Sequence, residues 1–183
     1  YAVARFSEDD VFDAIAIRGN LEGMAARLAA ERGVSPNLLS KLHRCVGELD
    51  TVIARLETSP ELTDYVRLND RFHDLLYEAA QSSMLKRSLE RLVVLPFAAP
   101  NAFVSVTQSD TAAVRAVLVI SQEQHRSIVD AIERREGTRA ESLTIEHSRS
   151  AWKYLRLILN VGNPVLHLPG MNLVVPDKAS GTR

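Results

Sequence analysis

Three of the chain's five histidines fall at positions where an imidazole is expected to point inward. His73 shares its helical face with Tyr65, Asn69, Leu76 and Ala80, at steps of three and four residues. His125 has Ser121, Ile128, Val129 and Ile132 along its face, and His147 has Leu143, Ser150, Ala151, Tyr154 and Ile158. A buried imidazole must find partners for its ring nitrogens. Spacing leaves two outcomes open. Each ring is satisfied separately in the core, or the three converge on a divalent metal such as Zn, Ni, Cu or Fe, for which neutral imidazole is a good ligand.

A metal would need a fourth donor. Asn69 and Asp70 lie four and three residues before His73. Asp70 has the charge, but its stripe of Arg67, Asp74 and Tyr77 reads as solvent-facing. Asn69 is better aimed and offers a weak, neutral amide oxygen. Alternatively, its amide hydrogen-bonds His73 and fixes the tautomer. Arg18 sits among Ala14, Leu21, Ala25 and Leu28, where an arginine must be paired. It either pairs with Glu22 along the helix or reaches a central cavity and grips a carboxylate ligand with its planar fork. His43 lies in the basic patch Lys41 to Arg44 and is expected to be solvated; His167 falls in the tail; Cys45 reads as a small core residue.

Helices must position these groups. Ala, Leu, Val, Arg and Glu dominate, and unbranched side chains lose little rotamer freedom in a helix. Ser7, with Asp10 three residues later, opens a first helix over about 8–32, which Gly33 stops. Ser35-Pro36 starts a second to about Leu56, and Ser59-Pro60 a third to about Gln81. Ser82 and Ser83 open a short fourth to about Val94. An irregular stretch with Pro96 and Pro100 follows over 95–108. Asp110 caps a fifth helix to about Glu136, Gly137-Thr138 breaks it, and a sixth runs to about Asn160. Residues 161–183, with three prolines, read as an irregular tail that packs extended before fraying. The fold class is therefore all-α, an antiparallel bundle of six helices over 1–160.

The chain carries 22 Lys and Arg against 23 Asp and Glu. That balance, without a basic run, argues against nucleic-acid binding by these residues themselves. One cysteine makes no internal disulfide, and no apolar run approaches membrane length, so a cytoplasmic protein is expected.

The sequence resembles the FadR C-terminal (FCD) domain of GntR-family transcription regulators. The likeness is carried by Phe12 to Ile15, Arg18 to Glu22 and Ala25 to Ala30 on the first helix. It continues through Leu68-Asn69-Asp70-Arg71-Phe72-His73, Leu76 to Ala80, Gln124 to Ile132, and Glu146-His147. Together these span roughly residues 7 to 160. The resemblance implies a dimerising bundle of six or seven helices that binds a small organic acid in a central cavity and so changes operator affinity. It also implies an N-terminal winged helix-turn-helix, for which the helical pattern from residue 7 leaves no room. The chain opens on Tyr1 rather than Met, as expected if that half lies upstream.

Many such domains hold a divalent metal, Zn or Ni, through three histidines and an aspartate, and the ligand's carboxylate completes the shell. His73, His125 and His147 match the histidines, and Asn69 stands where aspartate is usual. Losing the one anionic donor weakens the site and leaves the ion's charge less compensated. Ligand-binding residues are expected to be Arg18, Asn69, His73, His125, His147 and Tyr154. Six helices look more like the vanillate-regulator subgroup than the fatty-acyl-CoA one, which suggests an aromatic or short aliphatic acid. No enzyme is expected, since no Glu-x-x-His pair repeats and no His-Glu-x-x-His occurs. The alternatives are a three-histidine metalloenzyme and a purely structural dimerisation module.

Overall fold

A computed structural model describes residues 6–56, 61–95, 97–102, 104 and 111–160, with side chains as far as residue 153. Every regular element among them is a helix: α1 (Glu8–Arg32), α2 (Pro36–Arg55), α3 (Thr63–Ala79), α4 (Ser83–Leu92), α5 (Thr111–Glu133) and α6 (Gly137–Asn160). The expected tail, the Asp110 cap, Pro96 and the Ser59-Pro60 start signal lie outside the described residues.

Local chemistry explains most of the ends. Ser7 Oγ accepts from the Asp10 N–H at 3.1 Å, while the Asp10 carboxylate accepts from the Ser7 N–H at 2.7 Å, a reciprocal capping box. Ser35 and Ser82 cap α2 and α4 through the N–H groups of Leu38 and Leu85, each at 3.3 Å. Gly33 ends α1 with φ 83°, and the Arg135 guanidinium lies 2.3 Å from where a Cβ would stand.

Three boundaries differ from the sequence pattern. α3 begins at Thr63, after Leu62, which makes no side-chain cap. α4 ends at Leu92, with the Val93 N–H closing on the Leu89 carbonyl. α5 ends at Glu133, and Gly137 is the first residue of α6 rather than a break. Arg135 takes the left-handed conformation at φ 62°. Its N–H bonds the Ile132 carbonyl at 3.1 Å, and that of Glu136 bonds the Ala131 carbonyl at 2.9 Å. This is a Schellman closure with arginine at the position glycine usually takes, so the residue type does not advertise it.

α1 is the central helix. It packs against α3, α4, α5 and most extensively α6. The closeness of α1 and α6 comes from small residues. A Cβ added at Gly19 would lie 2.7 Å from Ser148 Cβ, and one at Gly23 would lie 3.1 Å from the Glu141 carbonyl oxygen. Ala26 and Ala30 continue the buried small-residue face. Around it, Leu42, Leu49, Phe72, Leu76, Leu89 and Ile128 are fully enclosed. The turns after α4 fold inward, burying Phe97 and Ala98.

Gly19→Ala is therefore expected to destabilise the protein. Crowding in a packed interior costs about 1–3 kcal/mol, more than the roughly 0.5–1 kcal/mol alanine gains in a helix. A lower urea midpoint with an unchanged slope would register it; a midpoint equal to or above wild type would show that α6 yields without cost.

Candidate functional site

Among the described residues, most buried polar side chains gather at one place in the bundle. Arg18 and Glu22 from α1, Asn69, His73 and Tyr77 from α3, His125 from α5 and His147 from α6 are all buried. The spacing on each helix put Arg18, Asn69, His73, His125 and His147 on inward faces, and the packing of α1 against α3, α5 and α6 brings the faces together.

The three histidines converge. One ring nitrogen from each lies within 4.8 Å of the others. The ring centroids of His125 and His147 are 4.4 Å apart, and that of His73 is 6.1 and 5.6 Å from them. Phe72 closes one side, with its ring 4.1 Å from that of His125.

Each histidine turns one nitrogen toward a side-chain oxygen. His125 Nδ1 is 3.1 Å from Gln122 Oε1. The amide of Gln122 has a fixed sense, because its nitrogen donates to the Val46 carbonyl at 2.8 Å and to Asp50 at 2.5 Å. Its oxygen must then face His125, which places the proton on His125 Nδ1 and the lone pair on Nε2. His147 Nδ1 is 3.2 Å from Gln124 Oε1, which also accepts from Ser150 Oγ at 3.1 Å. With the Gln124 oxygen turned to the ring, His147 likewise carries its proton on Nδ1 and a lone pair on Nε2. The two Nε2 atoms stand 3.1 Å apart. His73 Nδ1 lies 2.9 Å from Glu22 Oε1, off the direction of a good hydrogen bond, and its Nε2 is buried without a partner.

Glu22 anchors the other half of the site. It is fully buried, with Arg18 Nη1 at 3.0 Å on one oxygen and the Tyr77 hydroxyl donating at 2.6 Å to the other. Burial opposes its ionisation most strongly, but Arg18, His73 and Tyr77 outweigh it and hold its pKa below the usual carboxylate range. The Tyr77 hydroxyl is pushed well up by burial and then by the Glu22 charge. Burial, followed by the neighbouring histidines, pushes His125 well down; burial and then His73 push His147 down to about 3. Both rings are thus neutral, the form in which imidazole binds metal.

Beside His147 lies a cavity of about 30 Å³, walled by Arg18, Tyr65, Asn69, Ser121 and Ser150 among others. Arg18 pairs with Glu22 along the helix and also lines the cavity, with its Nε left unpartnered. Asn69 does not bond His73. Its amide nitrogen donates to Asn101 at 3.0 Å, and its oxygen lies 3.5 Å from the Tyr65 hydroxyl. Asp70 is exposed, but Tyr77, read with it as solvent-facing, is buried because its hydroxyl reaches in to Glu22. The Tyr154 side chain lies outside the described residues. His43 is half-exposed beside Glu133, and Cys45 is buried with its thiol donating to the Leu68 carbonyl.

The sequence reading missed Gln122, Gln124, Asn101 and the contacts of Glu22 with His73 and Tyr77. Only Gln122 carried a local signal, standing three residues before His125 on the same helix. The others are 23 to 55 residues from the groups they hold.

The family model described as FCD domain matches residues 13–150. That span includes Arg18, Glu22, Asn69 and all three histidines. No curated protein matches the chain.

The metal-free protein is expected to lose stability as pH falls below about 6.5. Below the imidazole's ordinary value of 6.5 the unfolded chain takes up protons that His125 and His147 refuse in the fold. Their folded pKa values are depressed, so the stability they contribute is present above 6.5 and declines as pH falls, for His147 down to about 3. The slope is about 1.4 kcal/mol per pH unit for each ring. Denaturant unfolding at pH 7.5 and 5.5 measures it, and equal stability at the two values would contradict the neutral assignment.

Proposed function

The chain belongs to the FCD domain family, the ligand-binding domain of GntR-type regulators, and on that premise we propose that it senses a small carboxylic acid at a metal in the bundle core. On this reading it forms a homodimer in the cytoplasm, with 1–160 as the sensing and dimerising unit. The acid biases two arrangements of the dimer, and the bias passes to an N-terminal winged helix-turn-helix outside these residues.

The observation that supports it most is the convergence of imidazole lone pairs. Two Nε2 atoms facing each other at 3.1 Å cannot satisfy one another when both protons sit on Nδ1. A cation resolves the conflict and also gives the orphaned His73 Nε2 a partner. The separation is close to the roughly 3.3 Å that two nitrogens take around a tetrahedral ion at about 2.0–2.1 Å. The donor set favours Zn or Ni over Mg or Ca. His73, His125 and His147 hold the ion, and the Asn69 oxygen is the weak fourth donor. The outer contacts of Glu22, Gln122 and Gln124 to the far ring nitrogens are those expected around metal-ligating histidines.

When bound, the ion supplies positive charge beside the cavity, which attracts an anion. Arg18 keeps donors available beyond its bond to Glu22, and Ser121 and Ser150 line the cavity with hydroxyls. A cavity of about 30 Å³ has room for a water or two, which favours a short aliphatic acid over an aromatic one. Among the described residues, the one carboxylate buried in the cluster is held by Arg18 and Tyr77 and lies against His73, so it is ill-placed as a general base; this favours a sensor over a metalloenzyme.

Chelator-treated protein is expected to take up one equivalent of Zn²⁺ or Ni²⁺ per chain. At 100 times Kd the gain in stability is about 2.7 kcal/mol. His125→Ala removes uptake. Calorimetric titration should then show saturable binding of short carboxylic acids, weakened in Arg18→Lys, which keeps the charge but loses the fork. Absence of both metal uptake and any response across aromatic and short aliphatic acids would leave a structural dimerisation module as the better account.

A further inference from the structure

Position 69 is where this chain departs from the aspartate its resemblance implies, and an asparagine there raises a question of orientation. A carboxylate presents oxygen whichever way it turns. An amide presents oxygen on one side and N–H on the other, and an N–H aimed at a cation repels it. Something must decide which atom of Asn69 faces the cavity.

We propose that Asn101 is the positioning residue that turns the Asn69 amide so that its oxygen faces the histidine cavity, where it serves as the neutral oxygen donor to the ion. The inference rests on the metal reading above. Asn101 sits in the turns after α4, and one end of its amide lies 3.0 Å from the Val66 carbonyl oxygen and 2.6 Å from Asp70 Oδ1. Both of these groups only accept, the second as a carboxylate, so the end of Asn101 between them must be its NH₂. Asn101 Oδ1 therefore points the other way, 3.0 Å from the Asn69 amide. An oxygen there requires a donor, which fixes the Asn69 NH₂ toward Asn101. What remains of Asn69 is its oxygen, with only the long 3.5 Å approach of the Tyr65 hydroxyl. Asn69 is buried, and it lines the same cavity as His147 and Arg18.

The exposed Asp70 carboxylate thus acts on the site at one remove. It and the Val66 carbonyl orient Asn101, Asn101 orients Asn69, and no residue in this relay needs to touch the ion except the last. Without Asn101, the buried Asn69 amide has no partner to distinguish its two ends. Half of its orientations then present N–H to the cavity, and the oxygen loses the bond that holds it in place.

Zn²⁺ affinity of the full chain, measured by competition with a chromophoric chelator, tests the relay in a double-mutant cycle. Asn101→Ala is expected to weaken Zn²⁺ binding by about 10–100-fold, the usual effect of removing an outer partner of a ligand. Asn69→Ala should weaken it at least as much, and the double variant no further than Asn69→Ala alone. Thermal unfolding of the metal-free proteins, run in parallel, reports any purely structural role of Asn101 in holding its turn. If Asn101→Ala does not fold, Asn101→Ser keeps a polar group but cannot bridge to Asn69, and the same loss is expected. Wild-type affinity in either folded variant overturns the proposal, and so do losses that multiply in the double variant. Failure of wild-type protein to bind Zn²⁺ overturns both this proposal and the metal reading, which separates the two kinds of failure.

Discussion

A carboxylate without access to water governs the interior of this protein. Glu22 is buried completely, and a buried charge is tolerated only when opposite charge and hydrogen bonds surround it. Here Arg18 comes from one turn earlier on α1, and Tyr77 and His73 come from α3. The arrangement commits α1 and α3 to a single register. Sliding either helix by one residue would leave the carboxylate, the guanidinium or both unpaired inside the bundle. The polar cluster therefore specifies the packing more sharply than the leucine contacts around it, which tolerate repacking.

The same carboxylate sets the chemistry of the cluster. It draws one nitrogen of His73 toward itself and leaves the other without a partner. Gln122 and Gln124 do the equivalent for His125 and His147. For these two rings an oxygen behind the ring decides where the proton sits, so their lone pairs are directed into the space between the rings. Burial keeps the two rings on α5 and α6 neutral. Neutral rings at His125 and His147, a neutral asparagine and a Glu22 carboxylate already paired with Arg18 leave no surplus negative charge, and a divalent ion placed there would call for an anion beside it. The cavity at Arg18 and His147 is where such an anion has donors waiting.

Geometry at this precision depends on how closely the helices approach. Gly19 and Gly23 remove side chains from the α1 surface where Ser148 and Glu141 press in, one residue from His147 in the first case. The turns after α4 contribute from the other side, burying Phe97 and delivering Asn101 to α3. The histidine cluster is thus bounded by a close helix contact on one side and a hydrogen-bonded turn on the other.

Much of this was legible in the residues alone. Serine caps, Gly33 and the three-to-four spacing of apolar residues place six helices nearly where they are, because these signals act within one or two turns of chain. The same spacing set His73, His125, His147, Asn69 and Arg18 on inward faces. What it could not show was whether those faces met one another, since periodicity describes a helix and not its neighbour. The end of α5 was misplaced because arginine took a left-handed position that glycine usually marks. The tertiary structure alone decided that the three rings converge, that Glu22 bonds Tyr77 and lies against His73 as well as pairing with Arg18, and that Asn69 is held by Asn101 rather than by His73. Those partners come from separate helices and a turn, and only the packing of α1 against its neighbours brings them within reach.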